Sequence, residues 1–187
     1  MVHFDLATVG QPLSFNVVGL KTVGFGRNGV DLVEPVIQKA RLTGSQEASL
    51  DERGRITIPT KFIESMKKMT GIEQTDELEV AAGISAQGEL TIYPAFIWND
   101  LMDKLDAKAE NDVKALQQRD WIHPLVEVQT LDKQGRCRFN PKAVKLMKFA
   151  GKLEIIGRGQ YLAVVEEKLQ EQEVEAGIES ARQNRYK

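Results

Sequence analysis

The sequence has few of the residues on which metal binding, disulfide bonding and nucleophilic catalysis usually depend. It contains one cysteine, Cys137, and two histidines, His3 and His123, among 187 residues. A single cysteine cannot form an intramolecular disulfide, and two isolated histidines do not give the ligand spacing that zinc requires. We therefore expect no metal and no cofactor. Because no nucleophile stands with a base, the sequence also favours a protein that is not an enzyme.

Long apolar runs and a strong net charge are missing as well. No stretch approaches the ~20 apolar residues that span a bilayer, and the N-terminus lacks the basic-then-apolar pattern of a signal peptide. We expect a cytoplasmic protein without a membrane partner. The formal net charge is −2, so any binding of nucleic acid has to come from a local basic patch.

The sequence does contain an internal repeat. Residues 49–66, SLDERGRITIPTKFIESM, return 81 residues later as TLDKQGRCRFNPKAVKLM, residues 130–147. Each copy reads Leu-Asp-x-x-Gly-Arg, then a short alternating strand, a proline and the start of an amphipathic helix. Self-similarity of this kind indicates a duplicated structural unit.

The repeated Asp-x-x-Gly is predicted to form a tight turn between two strands. An aspartate can accept hydrogen bonds from the backbone two residues further on, and a glycine tolerates positive φ. We therefore assign turn-forming roles to Asp51 and Gly54 in the first copy, and to Asp132 and Gly135 in the second.

The cationic residues of the two turns allow two interpretations. In the first, Arg55 and Arg136 each pair with the aspartate of their own turn. In the second, the turns present Arg53, Arg55, Lys133, Arg136 and Arg138 to phosphates, which the arginine fork can bind in a bidentate manner. The two roles are compatible, and the residues alone do not separate them.

Alternating segments on either side of the second turn predict two β-hairpins. The first joins residues 77–83 to 89–94, and the second joins residues 152–157 to 160–165. Between the first hairpin and the second turn, apolar residues recur at helical spacing from Trp98 to Leu116, with a break near Asn111.

Further helices are predicted around and after the second repeat. Asn140 suits an N-cap and Pro141 the first helical position, and Gly151 is expected to close this short helix. The segment from Glu166 onward is charged with few apolar residues, which predicts a solvated or partner-facing helix.

Taken together, these motifs resemble the MraZ family of transcriptional regulators. The resemblance covers residues 41 to about 170. It is carried by the two Asp-x-x-Gly-Arg repeats, the intervening LTIYPAFIWNDLMDKL, and AGKLEIIGRGQYLAVV after the second repeat. Arg41-Leu-Thr-Gly44 looks like the place where chains of that family usually begin.

The resemblance implies an α+β, mainly β fold of the AbrB type. In it, two half-motifs interlock as a tandem swapped-hairpin barrel, pseudo-twofold and double-psi-like, with short helices. It also implies a ring-shaped homo-oligomer of about eight to twelve subunits that binds repeated operator sequences in double-stranded DNA. On this basis Arg53, Arg55 and Arg136 fall at DNA-contacting positions, and nucleoid association is expected.

The same reading divides the chain into four parts. Residues 1–40 form an N-terminal, strand-rich extension, residues 41–122 the first repeat with a helical connector, residues 123–170 the second repeat, and residues 171–187 a charged helix or tail. Because function resides in sites and not in folds, an alternative stays open. In that alternative the chain is a structural or adaptor subunit that docks onto a protein partner through residues 1–40.

Overall fold

The computed structural model describes residues 40–72, 77–85 and 87–184, without the side chains of residues 183 and 184. The N-terminal extension expected over residues 1–40 therefore lies, except for Ala40, outside the described residues. Eight strands and five α-helices follow in the order β1 (Ser45–Ala48), β2 (Arg55–Thr57), α1 (Thr60–Thr70), β3 (Glu79–Ile84), β4 (Leu90–Pro94), α2 (Ala95–Ala109), α3 (Val113–Ile122), β5 (Glu127–Thr130), β6 (Arg136–Arg138), α4 (Pro141–Met147), β7 (Leu153–Gly157), β8 (Leu162–Glu166) and α5 (Glu167–Asn184).

The strands form one six-stranded sheet and one two-stranded ribbon. The order in the sheet is β1-β7-β8-β4-β3-β5, and the ribbon consists of β2 and β6. All of these pairs are antiparallel. Strand β1, from the first half of the chain, pairs with the hairpin of the second half, and β5, from the second half, pairs with the hairpin of the first.

This exchange makes the two halves of the chain depend on each other. The sheet order reads the same from either end once the halves are interchanged, with the β4–β8 pair at its centre. A first strand that pairs with the other half's hairpin cannot complete the sheet within its own half. We therefore describe the duplicated region as one interlocked unit.

Both predicted hairpins are present. β3 pairs with β4 from Val80↔Pro94 to Ile84↔Leu90, and β7 pairs with β8 from Leu153↔Glu166 to Gly157↔Leu162. The overall balance differs from the expectation of a mainly β protein, because the helices contain more of the described residues than the strands do. The fold is mixed α/β, since α2, α3 and α5 add helix outside the repeated motif.

The helical connector has the predicted break. α2 ends at Ala109 and α3 begins at Val113, after Asp112 caps it by accepting the backbone N–H groups of Lys114 at 2.8 Å and Ala115 at 3.4 Å. The capping aspartate satisfies N–H groups that have no partner within the helix.

Helix α4 begins as predicted but ends earlier. The Asn140 side chain accepts the backbone N–H of Lys142, with Pro141 in the first turn. The helix stops at Met147, because Lys148 adopts a left-handed conformation with φ of 48°. Gly151 therefore does not close it. In α1 the corresponding residue is Gly71, with φ of 68°, so a lysine occupies a position that usually favours glycine.

The core lies between the six-stranded sheet, the ribbon, α1 and α4. Its largest fully buried side chains include Phe62 and Met66 from α1, Phe139 after β6, and Ile92 and Ile155 from the sheet. Apolar burial of this kind supplies most of the free energy of folding. Both repeats therefore contribute to a single hydrophobic core.

The last helix, α5, is attached to the hairpin of the second half. The guanidinium of Arg158 lies 2.8 Å from the Glu173 carboxylate on α5 and 3.6 Å from Glu89 before β4. Residues 171–182 are exposed, in agreement with the charged, solvated helix that the sequence predicts. Among the described segments, no helix is long and apolar enough to span a bilayer.

We predict that Gly157→Ala destabilises the protein by roughly 1–3 kcal/mol or more. A Cβ there would lie 2.4 Å from the backbone carbon of Leu42 and 2.4 Å from the backbone nitrogen of Thr43, so main chain would have to move. The control is Gly177→Ala in α5, where a Cβ has open space and should stabilise the helix by about 0.5–1 kcal/mol. Urea denaturation measures both, and equal effects would contradict the close approach.

Candidate nucleic-acid interface

The first turn is organised around the carboxylate of Asp51. Its Oδ1 accepts the backbone N–H groups of Arg53 and Arg55, both at 2.9 Å, while its Oδ2 accepts the Nε–H of Arg55 at 2.7 Å. The backbone of Gly54 donates to the Asp51 carbonyl at 2.9 Å, and its φ is 70°. Glycine is required here because positive φ disfavours a residue with a Cβ.

The second turn repeats this geometry. Oδ1 of Asp132 accepts the backbone N–H groups of Gln134 and Arg136, both at 2.9 Å, and its Oδ2 accepts the Nε–H of Arg136 at 2.7 Å. Gly135 also has φ of 70°. The interpretation in which each arginine pairs with its own aspartate therefore describes the structure, and the four turn-forming residues stand in the arrangement that the sequence predicts.

Pairing with aspartate leaves most of each guanidinium available. Only the Nε–H of Arg55 and of Arg136 is used in these bonds, and the two side chains remain 33% and 32% exposed. A guanidinium carries five N–H donors. Within the described part of the chain, the terminal nitrogens of these two arginines make no hydrogen bond, so they can reach an anion while Nε stays anchored.

Hydrogen bonds lower the pKa of both turn aspartates below the ordinary range. For Asp51 the main cause is the backbone N–H of Arg55, and for Asp132 it is the backbone N–H of Arg136, with the guanidinium Nε–H adding to each. Hydrogen bonds to a carboxylate favour its charged form. Both turns therefore keep their charged pair well into the acidic range.

The β2–β6 ribbon brings the two turns together. Ile56 lies opposite Cys137 and both are buried, whereas Arg55 lies opposite Arg138 and Thr57 opposite Arg136. Because side chains alternate across a strand, the three arginines share the face that points away from the core. The ribbon thus collects cations from both halves of the chain on one surface.

Two backbone bonds extend the ribbon into the turns. Ile58 donates its N–H to the carbonyl of Gly135 at 2.8 Å, and Phe139 donates to the carbonyl of Gly54 at 2.9 Å. Each turn glycine is therefore bonded to the strand that follows the other turn. This reciprocal bonding fixes the position of the two Asp–Arg pairs relative to each other.

Arg138 is held differently from the two turn arginines. Its Nη2 lies 3.3 Å from Oε2 of Glu127, and its side chain is 56% exposed. Gln129 holds its backbone, accepting the N–H of Arg138 at 2.8 Å and donating to its carbonyl at 2.7 Å. Our sequence analysis missed Glu127 and Gln129, although their alternation in VEVQT was a signal that they share a face of β5.

Arg53 and Lys133 occupy the tips of the two turns. Both are exposed, and neither side chain forms an ion pair with the residues described. They do not stand at equivalent positions, because Lys133 corresponds to Glu52, and Arg53 to Gln134, in the repeat. Each turn thus carries one cation at its tip beside its anchored arginine.

The ribbon also contains the single cysteine, which is not placed for chemistry. Cys137 is 1% exposed, and burial raises the pKa of its thiol to about 12. A thiol in this state is a poor nucleophile. In the described part of the chain, no group of three histidine, cysteine, aspartate or glutamate side chains could hold a metal ion.

Comparison with known proteins identifies similar chains. The family model described as "MraZ protein, putative antitoxin-like" matches residues 42–120. The chain is 32% identical over 103 residues to the transcriptional regulator MraZ of Syntrophotalea carbinolica, an alignment that covers 55% of this chain and 63% of that protein. The chain thus spans less than two thirds of the length of that relative.

Two further relatives are matched over more of their length. The transcriptional regulator MraZ of Phocaeicola vulgatus is 30% identical over 119 residues, which cover 63% of this chain and 73% of the relative. The transcriptional regulator MraZ of Chlorobium limicola is 22% identical over 137 residues, which cover 68% and 85% respectively.

We predict that the two turn aspartates contribute to the pH dependence of stability. Their folded pKa values are depressed, so their contribution is fully present above the ordinary carboxylate pKa of about 4 and is lost as the pH falls through the lowered values. The Asp51→Asn, Asp132→Asn double variant should be less stable at pH 7 and should lose less stability on acidification. Urea midpoints measured at neutral pH and below about pH 4 test this.

The control for that experiment is Asp103→Asn, an exposed residue of α2 outside both turns. It should leave the acid dependence of the wild type unchanged. If the double variant and the wild type lose stability in parallel on acidification, the aspartates are not the groups responsible.

Proposed function

Since the chain belongs to the MraZ family, we propose that it is a sequence-specific DNA-binding transcriptional regulator. Three of the relatives compared carry the name transcriptional regulator MraZ. The observation that carries the proposal is the β2–β6 ribbon, where Arg55, Arg136 and Arg138 from both repeats share one outward face. This site consists of cations fixed by strand pairing, without groups arranged for catalysis.

The chemistry of the ribbon suits phosphate binding. Arginine binds phosphate through two parallel N–H groups, and an anchored guanidinium loses less conformational entropy on binding. The 2.7 Å bonds from Nε to aspartate anchor Arg55 and Arg136. We assign DNA contact to these two residues, to Arg138 on the same face, and to Arg53 and Lys133 at the tips of the turns.

The charge distribution supports the same assignment in a chain with net charge −2. Arg55 and Arg138 lie directly opposite each other, and like charges in that position are unfavourable. Asp51 and Glu127 compensate part of that repulsion. A phosphate bound at the ribbon would relieve more of it, so the ribbon is a local site for an anion.

The exchanged strands support a more specific proposal for the fold. We infer that residues 41–122 and 123–170 form a tandem swapped-hairpin barrel, followed by the charged helix of residues 171–187. The pairing of β1 with β7 and of β5 with β3 is the exchange that such a barrel needs. The division of the chain and the role of residues 1–40, including the adaptor alternative, stay predictions.

We further propose a ring-shaped homo-oligomer of about eight to twelve subunits that binds regularly repeated operator sequences. One ribbon offers few contacts, and linked sites raise the overall affinity without any new contact. A closed ring of identical subunits would present its ribbons at regular intervals. DNA binding of this kind would associate the protein with the nucleoid.

We predict that Arg55→Ala and Arg136→Ala each weaken DNA binding. The loss is ~1–3 kcal/mol if the side chain contacts a base, and the slope of log K against log salt concentration falls by about one if it contacts a phosphate. The measurement is fluorescence anisotropy at several salt concentrations, with a labelled duplex from upstream of the protein's own gene and a scrambled duplex.

The matched control is Arg182→Ala, because Arg182 is an exposed arginine of α5 with a 3.9 Å contact to Glu179. It should bind both duplexes as the wild type does. Arg55→Lys separates charge from geometry, since lysine keeps the charge and loses the fork. Unchanged affinity and salt slope in both alanine variants, or equal affinity of the wild type for both duplexes, would contradict the proposal.

Arg138 allows a prediction based on the repeat itself. The equivalent residue of the first copy is Thr57, so Arg138→Thr makes the two strands alike at that position. We expect the salt slope to fall by about one, while thermal unfolding changes little because the Arg138 pair with Glu127 is exposed and surface pairs contribute little. An unchanged slope would remove Arg138 from the DNA-binding set.

A further inference from the structure

Two grooves lie at equivalent places in the duplicated fold. The first, about 600 Å³ in volume, is lined by residues after β1, the end of α4 and the start of β7. The second, about 400 Å³, is lined by Thr130 of β5, the end of α1 and the residues around the start of β3. The exchange of strands relates β1 to β5, α4 to α1 and β7 to β3, so the same plan builds both grooves.

Individual residues confirm this equivalence. Ser49 in the first groove and Thr130 in the second stand 81 residues apart, at matching positions of the repeat. Lys152 in the first groove immediately precedes the buried Leu153, and Glu77 in the second immediately precedes the buried Leu78. At this last position the two halves carry opposite charges.

The opposite sign extends over both grooves. The first, here called the basic groove, is lined by Lys145, Lys148 and Lys152, with Glu47 as its only acidic residue. The second, here called the acidic groove, is lined by Glu77 and Glu79, and no lysine or arginine lines it among the described residues. In the described part of the chain, none of these side chains forms an ion pair.

Both grooves also expose apolar surface. The basic groove contains Val144 and Phe149, which are half-buried, and the acidic groove contains Ile72 and Phe96, the latter 46% exposed. Apolar and aromatic contacts surrounded by polar residues are typical of the interfaces between proteins. Charge complementarity adds specificity and fixes the register of such an interface.

We propose that the basic groove of one copy docks against the acidic groove of the next. The proposal rests on the self-assembly put forward above and names the surfaces that would make it. Strands β1 and β5, which border the two grooves, are the terminal strands at opposite ends of the sheet. One chain can therefore contact two neighbours at once, and a contact between unlike surfaces propagates into a ring or a filament.

Charge reversal tests the proposal in the full-length chain. One variant carries Lys145→Glu and Lys152→Glu, so that both grooves are acidic, and the other carries Glu77→Lys and Glu79→Lys, so that both are basic. Each variant alone should lose assembly and show the mass of a single chain by light scattering without DNA. An equimolar mixture of the two should assemble again, because unlike grooves then face each other.

A third variant and a control complete the design. The chain with all four reversals has its grooves exchanged in sign, so it should assemble by itself. Lys114→Glu with Lys168→Glu reverses two exposed lysines outside both grooves and should assemble as the wild type does. Assembly that survives either groove reversal, or a mixture that stays monomeric, would overturn the proposal.

DNA binding is measured separately, with the labelled duplex used above. If reversal of the basic groove weakens DNA binding while assembly without DNA is unchanged, the lysines belong to the DNA interface and the docking proposal is wrong. If the wild type assembles but does not bind the duplex, the regulator proposal fails while the docking proposal stands. A wild type that is monomeric at all concentrations overturns the docking proposal alone.

Discussion

The antiparallel pairing of β2 with β6 is the contact on which the rest of this structure depends. Each strand is only three residues long, and a two-stranded ribbon is at best marginally stable alone. It persists because Ile56 and Cys137 bury their side chains in the core that both halves share. The same pairing sets the spacing of the two Asp–Arg turns. The candidate interface is therefore a property of the joined halves, and neither repeat contains it alone.

Local features of the fold could be predicted from the sequence, because a few neighbouring residues determine them. The turns at Asp51 and Asp132, the cap at Asn140 and the two hairpins are of this kind. The exchange of strands leaves no local pattern, since β1 and β7 lie about a hundred residues apart and either hairpin would satisfy the alternation of β1. The early end of α4 escaped prediction because Lys148 adopts a conformation that the sequence pattern assigns to glycine.

The turns show how an acidic chain can carry a fixed cationic surface. Each aspartate accepts two backbone N–H groups and one guanidinium N–H, so it both closes the turn and orients the arginine. Charge is thereby spent within the turn, but donors remain on its outer side. Arg138 is the exception, since a carboxylate and an amide of β5 hold it where the first repeat has Thr57. The surface is thus similar, but not identical, on its two sides.

The presence of both repeats in one chain has a consequence for symmetry. In a homodimer of half-chains, every substitution appears twice, so the two ends of the sheet must carry the same charge. Here each half is encoded separately, and Lys152 and Glu77 can occupy equivalent positions with opposite sign. Fusion therefore gives the molecule a direction, with a distinguishable front and back. A polymer of such units has polarity, which a polymer of symmetric dimers cannot have.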